Sequence, residues 1–379
     1  MPYRRSFITI AVSLLAGCSN QGAATNPQLN AGAPIQAQTQ RASGVRSDAI
    51  SFQVYTAGQT SGFPNTASAF DIAAGPNQTM WFTDPSTPAI GRIDSSGTIT
   101  EFTTGLLAGA EPYAIAAGPD GNMYFSDYTG IRIGKVTPDG TIKEYSANAK
   151  FNDTFSKGIS FGPDARPWVV GFGEPSVIAH LNANGSIGIH TLPKFFTPDG
   201  SLIGDASGNL WFSGQDRHQQ AQLLERVAST GKINKLPMHM VVQRLPCCPN
   251  QAAKIMAIGP GGAPWFTTLD YLKRGSTAFH LGTVTSNAVQ LERLTHAGLA
   301  WSAYPSGMAA SGNTIWVTGG NPFKSEGALW RFDAKRNQTA YPLTYDPFSV
   351  AVDAAGHPWF TAAFSGSASQ IVEVLGAPR

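Results

Sequence analysis

The groups in this chain that could move a proton or hold a cation are few and scattered. Its seven histidines stand at positions 180, 190, 218, 239, 280, 296 and 357, no two closer than ten residues. Two aspartates are better placed. Asp84 and Asp127 close the near-identical segments MWFTD and MYFSD, and a pair of carboxylates brought together in space could bind a divalent cation. Tyr113 lies between them in sequence, with Lys157 and Lys254 further along. A lysine whose pKa is depressed by burial could serve as a base. Bland roles compete with each of these: aspartates often bind the amides of their own loops, and a lone histidine is more often a loop residue than a base.

The elements that would position these groups come from a repeat. The segments AAGPNQTMWFTD (73–84), AAGPDGNMYFSD (116–127), SFGPDARPWVVG (160–171), IGDASGNLWFSG (203–214), AIGPGGAPWFTT (257–268), AASGNTIWVTG (309–319) and AVDAAGHPWFTA (351–362) are seven copies of one unit. Their aromatic markers are Trp81, Tyr124, Trp168, Trp211, Trp265, Trp316 and Trp359, spaced by 43, 44, 43, 54, 51 and 43 residues. That period suits the four-stranded blade of a propeller. In each unit an apolar strand enters a Gly/Pro/Asp turn and returns as an aromatic strand, giving strands a and b. A second hairpin, strands c and d, is clearest at 90–103 and 133–146. The expected fold is therefore all-β, a seven-bladed propeller of four-stranded blades over residues 51–379.

The seventh repeat ends at its third strand, Ile371–Val374, and Ser51-Phe52-Gln53-Val54-Tyr55 matches the fourth strands of the other blades. The N-terminal strand is thus expected to close the last blade and to remove the sheet edges an open ring would expose. Strand alternation places the a–b and c–d turns on one rim. The other rim carries the d–a links and the b–c loops, whose lengths vary at 214–223, 268–280 and 319–328, with 239–252 between blades four and five. Variable loops on a rigid scaffold are common binding sites. They make Asp216, Arg217, His218, Asp270, Arg274 and His280 candidate ligand-loop residues for an unknown small molecule or protein.

The run GPDGNMYFSDYTGIRIGKVTPDGTIKEYS (118–146) resembles the repeat of the streptogramin B (virginiamycin B) lyase family, and the resemblance extends over all seven blades. It implies a carbon–oxygen elimination that opens a cyclic depsipeptide at its ester. A histidine before strand a would act as base, and a glutamate after strand b would help to hold Mg²⁺. The family slots are not filled in that way. Eleven residues before the markers stand Phe70, Tyr113, Lys157, Gly200, Lys254 and Phe348, with Ser306 in the shorter sixth repeat. Three residues after the markers stand Asp84, Asp127, Gly171, Gly214, Thr268, Gly319 and Ala362. The leading expectation is therefore a binding module of lyase-like fold. The alternative is a metal-dependent lyase with displaced groups, in which Asp84 and Asp127 hold the metal.

Ahead of the repeats, Arg4 and Arg5 precede an apolar run from Phe7 to Leu15 that is too short to span about 30 Å of hydrocarbon. Residues 1–17 read as a lipoprotein signal peptide: Leu15-Ala16-Gly17-Cys18 resembles a lipobox, which implies acylation of Cys18. Tyr3-Arg4-Arg5-Ser6-Phe7-Ile8 also resembles a twin-arginine signal, so either export route stays open. Residues 18–50, which lack aromatics, form an expected tether. Ser19 in place of an aspartate favours the outer membrane of a bacterial envelope. In an oxidising compartment Cys247 and Cys248 would be left as each other's partners, with a vicinal disulfide, free thiols or an intermolecular bond as the alternatives. Loss of Arg4 and Arg5 takes the formal charge from +2 to zero, and no basic run exceeds two residues, which argues against nucleic acid as a partner. A monomer held to the membrane by its acylated N-terminus is expected.

Overall fold

The computed structural model describes residues 50–147, 155–162, 164–194, 196–216, 221–227, 233–237, 256–271, 277–285, 288–293, 304–321, 326–344, 346–362 and 368–377. They form seven four-stranded antiparallel sheets. Blade one is β2 (Ile72–Ala74), β3 (Met80–Asp84), β4 (Ala89–Ile93) and β5 (Ile99–Phe102). Blade two is β6 (Pro112–Ala117), β7 (Met123–Asp127), β8 (Arg132–Val136) and β9 (Ile142–Ser146). Blade three is β10 (Phe155–Phe161), β11 (Pro167–Phe172), β12 (Val177–Leu181) and β13 (Ile187–Thr191). Blade four is β14 (Phe196–Gly204), β15 (Leu210–Asp216), β16 (Ala221–Val227) and β17 (Ile233–Pro237). Blade five is β18 (Met256–Ile258), β19 (Pro264–Tyr271), β20 (Thr277–Thr285) and β21 (Ala288–Arg293). Blade six is β22 (Tyr304–Ser311), β23 (Thr314–Asn321), β24 (Glu326–Phe332) and β25 (Gln338–Leu343).

Blade seven combines β26 (Pro347–Val352), β27 (Pro358–Ala362) and β28 (Gln370–Leu375) with β1 (Ser51–Thr56). Phe52 stands opposite Val374 and Tyr55 opposite Ile371, the closure expected from the sequence. The innermost strands β2, β6, β10, β14, β18, β22 and β26 each touch the next, and β26 returns to β2, so the ring is complete.

Apolar alternation explains how the blades stack. Trp81 and Ile90 of blade one pack with Ile115, Phe125 and Val136 of blade two, and Phe82 and Ile93 of blade one join Tyr55, Trp359 and Ile371 of blade seven. The glycine of each Ile-Gly-Arg/Lys segment has a steric cause. A Cβ on Gly91 would lie 2.0 Å from the Phe82 ring, and one on Gly134 would lie 1.9 Å from the Phe125 ring. Both rings lie flat over the neighbouring strand, and only glycine leaves them room.

The segments 214–223, 268–280 and 319–328, expected as loops of variable length, are strand at the ends that the structure describes. β15 runs on to Asp216, paired with Ala221; β19 reaches Tyr271, paired with Thr277; β23 extends to Asn321. Polar side chains do not prevent a backbone ladder from continuing.

Candidate functional site

Five inner strands change register close to the loop rim, between Pro112 and Ile115, Ser156 and Gly158, Pro198 and Leu202, Pro305 and Gly307, and Pro347 and Val350. These bulges hold Tyr113, Lys157, Gly200, Ser306 and Phe348, the slots eleven residues before the markers (ten in blade six). A bulge re-aims the side chain it carries and frees a backbone group. The amide next to the slot residue is taken by a hydroxyl two residues after the marker. Thr83 Oγ1 accepts the Asp71 amide at 3.1 Å and donates to the Tyr113 carbonyl of the next blade at 2.8 Å. Ser126 accepts from Ala114 and donates to the Lys157 carbonyl, each at 3.1 Å. Thr361 accepts from Ser349 at 3.2 Å and donates to the Phe70 carbonyl at 2.8 Å. One hydroxyl therefore stitches two blades together beneath the rim.

On this stitched base the slot side chains meet. Phe70 lies 4.4 Å from Phe348 and 4.4 Å from Tyr113, centroid to centroid. Tyr113 stacks on Tyr128 at 5.3 Å, and Tyr128 lies 6.2 Å from Phe172. The Lys157 ammonium sits 4.5 Å from the Phe172 ring centroid, within the range of a cation–π contact. A crest of touching rings thus spans blades seven, one, two and three. Phe348, 42 % exposed, is its open end.

Carboxyl groups flank the crest. Glu111 and Asp346 each stand two residues before a crest aromatic, in the segments Glu111-Pro112-Tyr113 and Asp346-Pro347-Phe348. Burial, then the charge of Asp127, raises the Glu111 pKa, and burial pushes Asp346 up to about 6. Between the two, Asp71 bridges three blades. Its Oδ1 accepts the Ser349 hydroxyl at 2.5 Å and its Oδ2 the Ile115 amide at 2.8 Å. Burial raises its pKa, opposed by these hydrogen bonds. Burial, with Tyr128 and Asp71 adding to it, also raises the Tyr113 phenol well above its ordinary value.

Asp84 and Asp127 are placed differently from the crest. Both are fully buried. Asp84 accepts the Ser86 amide at 2.8 Å, the Thr87 amide at 3.0 Å and the Thr87 hydroxyl at 2.6 Å. Asp127 accepts the Thr129 amide and hydroxyl, each at 2.7 Å, and faces Arg132 at 3.5 Å. Each also has a carboxyl neighbour from strand d. Burial, then the hydrogen bond and charge of Asp127, push Glu144 up to about 8; burial, then the charge of Asp84, push Glu101 up to about 7. Asp84 spends its lone pairs inside its own turn, and Asp127 divides its own among Thr129, Arg132 and Glu144. With a guanidinium beside one of them, they do not fit a shared Mg²⁺.

Of the loop candidates, Asp216 and Asp270 belong to strands β15 and β19, and His280 lies in β20 opposite Thr268 and Arg293. Lys254, Arg217, His218, Arg274, Cys247, Cys248 and Cys18 lie outside the described residues, as do residues 1–49. Two histidines that are far apart by the sequence criterion do meet: His180 and His190 stack at 5.3 Å, lying 4.3 and 5.5 Å from Trp168. Burial and Arg166 lower the His180 pKa. Phe70, Phe348, Tyr128, Phe172, Asp71 and Asp346 were not candidates from sequence. The acid-Pro-aromatic triplet, present twice, is the signal that could have found part of the set.

Residues 45–290 match the model of the virginiamycin B lyase family. Among solved structures the chain is similar to a streptogramin B lyase, with TM-score 0.66 and 20% identity over 86% of this chain and 98% of the other. It is also similar to a catalytically inactive virginiamycin B lyase variant from Staphylococcus aureus with quinupristin, with TM-score 0.64 and 18% identity over 86% and 99%. A third similar structure is the hydrazine synthase of Kuenenia stuttgartiensis, with TM-score 0.61 and 13% identity over 87% and 98%. At such identities the likeness concerns the fold. No curated protein matches.

Proposed function

The chain belongs to the virginiamycin B lyase family, and from that premise we propose that it is a binding module, held at the bacterial cell envelope by an acylated Cys18, that captures ring-bearing amphipathic molecules on the crest of its loop rim. The observation that carries this reading is the substitution of chemistry by stacking. Where the family resemblance calls for a base, blades seven, one and two present Phe348, Phe70 and Tyr113 with their rings in contact. Aromatic faces held at fixed separations bind ligand rings with little loss of side-chain freedom. Asp346 and Glu111, beside the crest, supply acceptors for a ligand amide or amine. In this reading Mg²⁺ has no part. The competing reading, a metal-dependent carbon–oxygen lyase, calls for a histidine and a glutamate in the family slots, and the described slots hold neither.

The test uses quinupristin as probe, with Mg²⁺ present, and follows both affinity and product. Binding with the probe recovered intact, weakened about tenfold or more by Phe70→Ala, is expected, since one aromatic contact contributes on the order of 1 kcal/mol beyond its area. Conversion of the probe to a linear product would establish the lyase instead. Affinity unchanged in Phe70→Ala and Phe348→Ala would remove the crest from the site.

A further inference from the structure

We propose that the opposite rim, at the blade where the ring closes, holds a first-row divalent metal site formed by Asp353, His357 and Glu373, for which Zn²⁺ is the best-fitting cation. Asp353 and His357 come from the turn between β26 and β27, and Glu373 from β28, where it stands opposite Trp359. His357 Nδ1 lies 3.1 Å from Glu373 Oε1 and 3.6 Å from Asp353 Oδ2. All three ligand atoms fall within 4.8 Å of one another. A tetrahedral Zn²⁺ with bonds of about 2.0–2.1 Å requires ligand–ligand edges of roughly 3.3 Å. The side chains are therefore already near coordinating distance.

Three further features favour a cation over a simple ion pair. A cavity of about 220 Å³ lies against the cluster, lined by Tyr55, Asp94, Trp359 and the three ligands, and leaves a side from which water can complete the coordination. Three carboxylates line that cavity with no lysine or arginine among the lining residues. Opposite the marker stand Arg92, Lys135, Arg226 and Arg331 in blades one, two, four and six, whereas blade seven has Glu373 there. With only an imidazole beside them among the lining residues, its acids are left with a charge deficit that a metal would meet.

Orientation is also provided. Trp359 Nε1 donates to Asp353 Oδ2 at 3.0 Å and the His357 amide donates to Asp353 Oδ1 at 2.8 Å, a second shell of the kind that holds ligating carboxylates in place. An imidazole with two carboxylates selects Zn²⁺ over Mg²⁺ or Ca²⁺, which prefer all-oxygen sites. On binding, the metal takes the place of the Nδ1 proton shared with Glu373. It would tie the first hairpin of blade seven to β28, the strand that holds β1.

Zn²⁺ titration by calorimetry, on the purified chain carrying Cys247→Ser and Cys248→Ser so that thiols do not compete, tests this directly. One Zn²⁺ per chain is expected, with no measurable heat from Mg²⁺, a rise in Tm on Zn²⁺ addition, and anomalous scattering at the zinc edge that places the ion between His357 and Glu373. His357→Gln preserves a hydrogen bond to Glu373 and so tests ligation apart from folding; it should weaken binding at least thirtyfold and abolish the Tm rise. Equal Zn²⁺ affinity in His357→Gln, zinc located elsewhere, or no saturable binding would overturn the proposal and leave a proton-bridged His–Glu pair.

Discussion

The two rims of this propeller descend from the same seven repeats and differ in how their polar side chains are satisfied. On the turn rim each aspartate is satisfied by its own turn. Asp120, Asp164, Asp205, Asp333 and Asp353 accept amides two or four residues ahead, and Asp120, Asp205 and Asp353 also accept the phenol or indole of their own marker. On the loop rim Asp84 and Asp127 likewise close their own turns, but the hydroxyls two residues after the markers leave the blade. Thr83, Ser126 and Thr361 each reach a carbonyl of the next blade, and Phe70 touches Phe348 across 278 residues of sequence. Local satisfaction allows one turn to change without disturbing the next. Cross-blade satisfaction makes the loop rim a single structure, which suits it to hold one binding surface.

The largest expected effect that could break this comparison lies in the stitching hydroxyls. Thr83→Val keeps the shape but leaves the Asp71 amide and the Tyr113 carbonyl without their partner. Each orphaned group costs about 1–3 kcal/mol, so a loss of roughly 2–6 kcal/mol in denaturant unfolding is expected. Ser96→Ala on the turn rim removes an exposed hydroxyl bonded to Asp94 and should cost less than about 0.5 kcal/mol. Equal losses in the two variants would show that the rims do not differ as argued.

The same contrast explains what could be read from the sequence. The ring was legible because each blade repeats the same turn, marker and strand, and because Ser51–Tyr55 supplies the fourth strand that Ile371–Val374 lacks. The slot positions were legible too, by counting from the markers. What counting could not show is that Phe348, Phe70 and Tyr113 touch, since their meeting depends on ring closure and on bulges that turn the side chains toward one another. Thr83, Ser126 and Thr361 stood in the repeat as ordinary strand residues, because their role needs the neighbouring blade's carbonyl. Asp71 was passed over for the same reason: its bridging partners, Ser349 and Ile115, belong to other blades. Asp84 and Asp127 stood out because they are carboxylates at repeated positions, yet the repetition reflects a turn that each of them closes locally.

A smaller effect sharpens the comparison through pH. In the folded protein Glu144 is pushed up to about 8 from its ordinary 4.5, because it is buried and hydrogen-bonded to Asp127. The native state favours the protonated form, so this group's contribution to stability is full below about pH 4.5 and is lost as pH rises through about 8. Glu144→Gln mimics the protonated acid and should flatten that decline, with a Tm about 2–4 °C above wild type at pH 8.5 and little change at pH 5. Asp120, which the hydrogen bonds of its turn and Lys135 hold down at about 2 despite burial, contributes the reverse slope, lost only as pH falls toward 2. A Glu144→Gln variant whose pH profile matched wild type would remove the shared proton from blade two.

The smallest effect belongs to the Asp120–Lys135 pair on the turn rim. Its side chains are 41 % and 30 % exposed, and such pairs contribute about 0–1 kcal/mol because solvent screens them and ordering two side chains opposes the attraction. Lys135 Nζ also lies 5.5 Å from the centroid of Tyr124. The Asp120 carboxylate keeps the Asn122 amide and the Tyr124 hydroxyl as partners when the ammonium is removed. Lys135→Ala should therefore cost less than about 1 kcal/mol, and the cost should shrink further in 0.5 M salt. A larger, salt-insensitive loss would mean that Lys135 is a structural member of blade two, and that the Asp120 turn is not satisfied by its own residues alone.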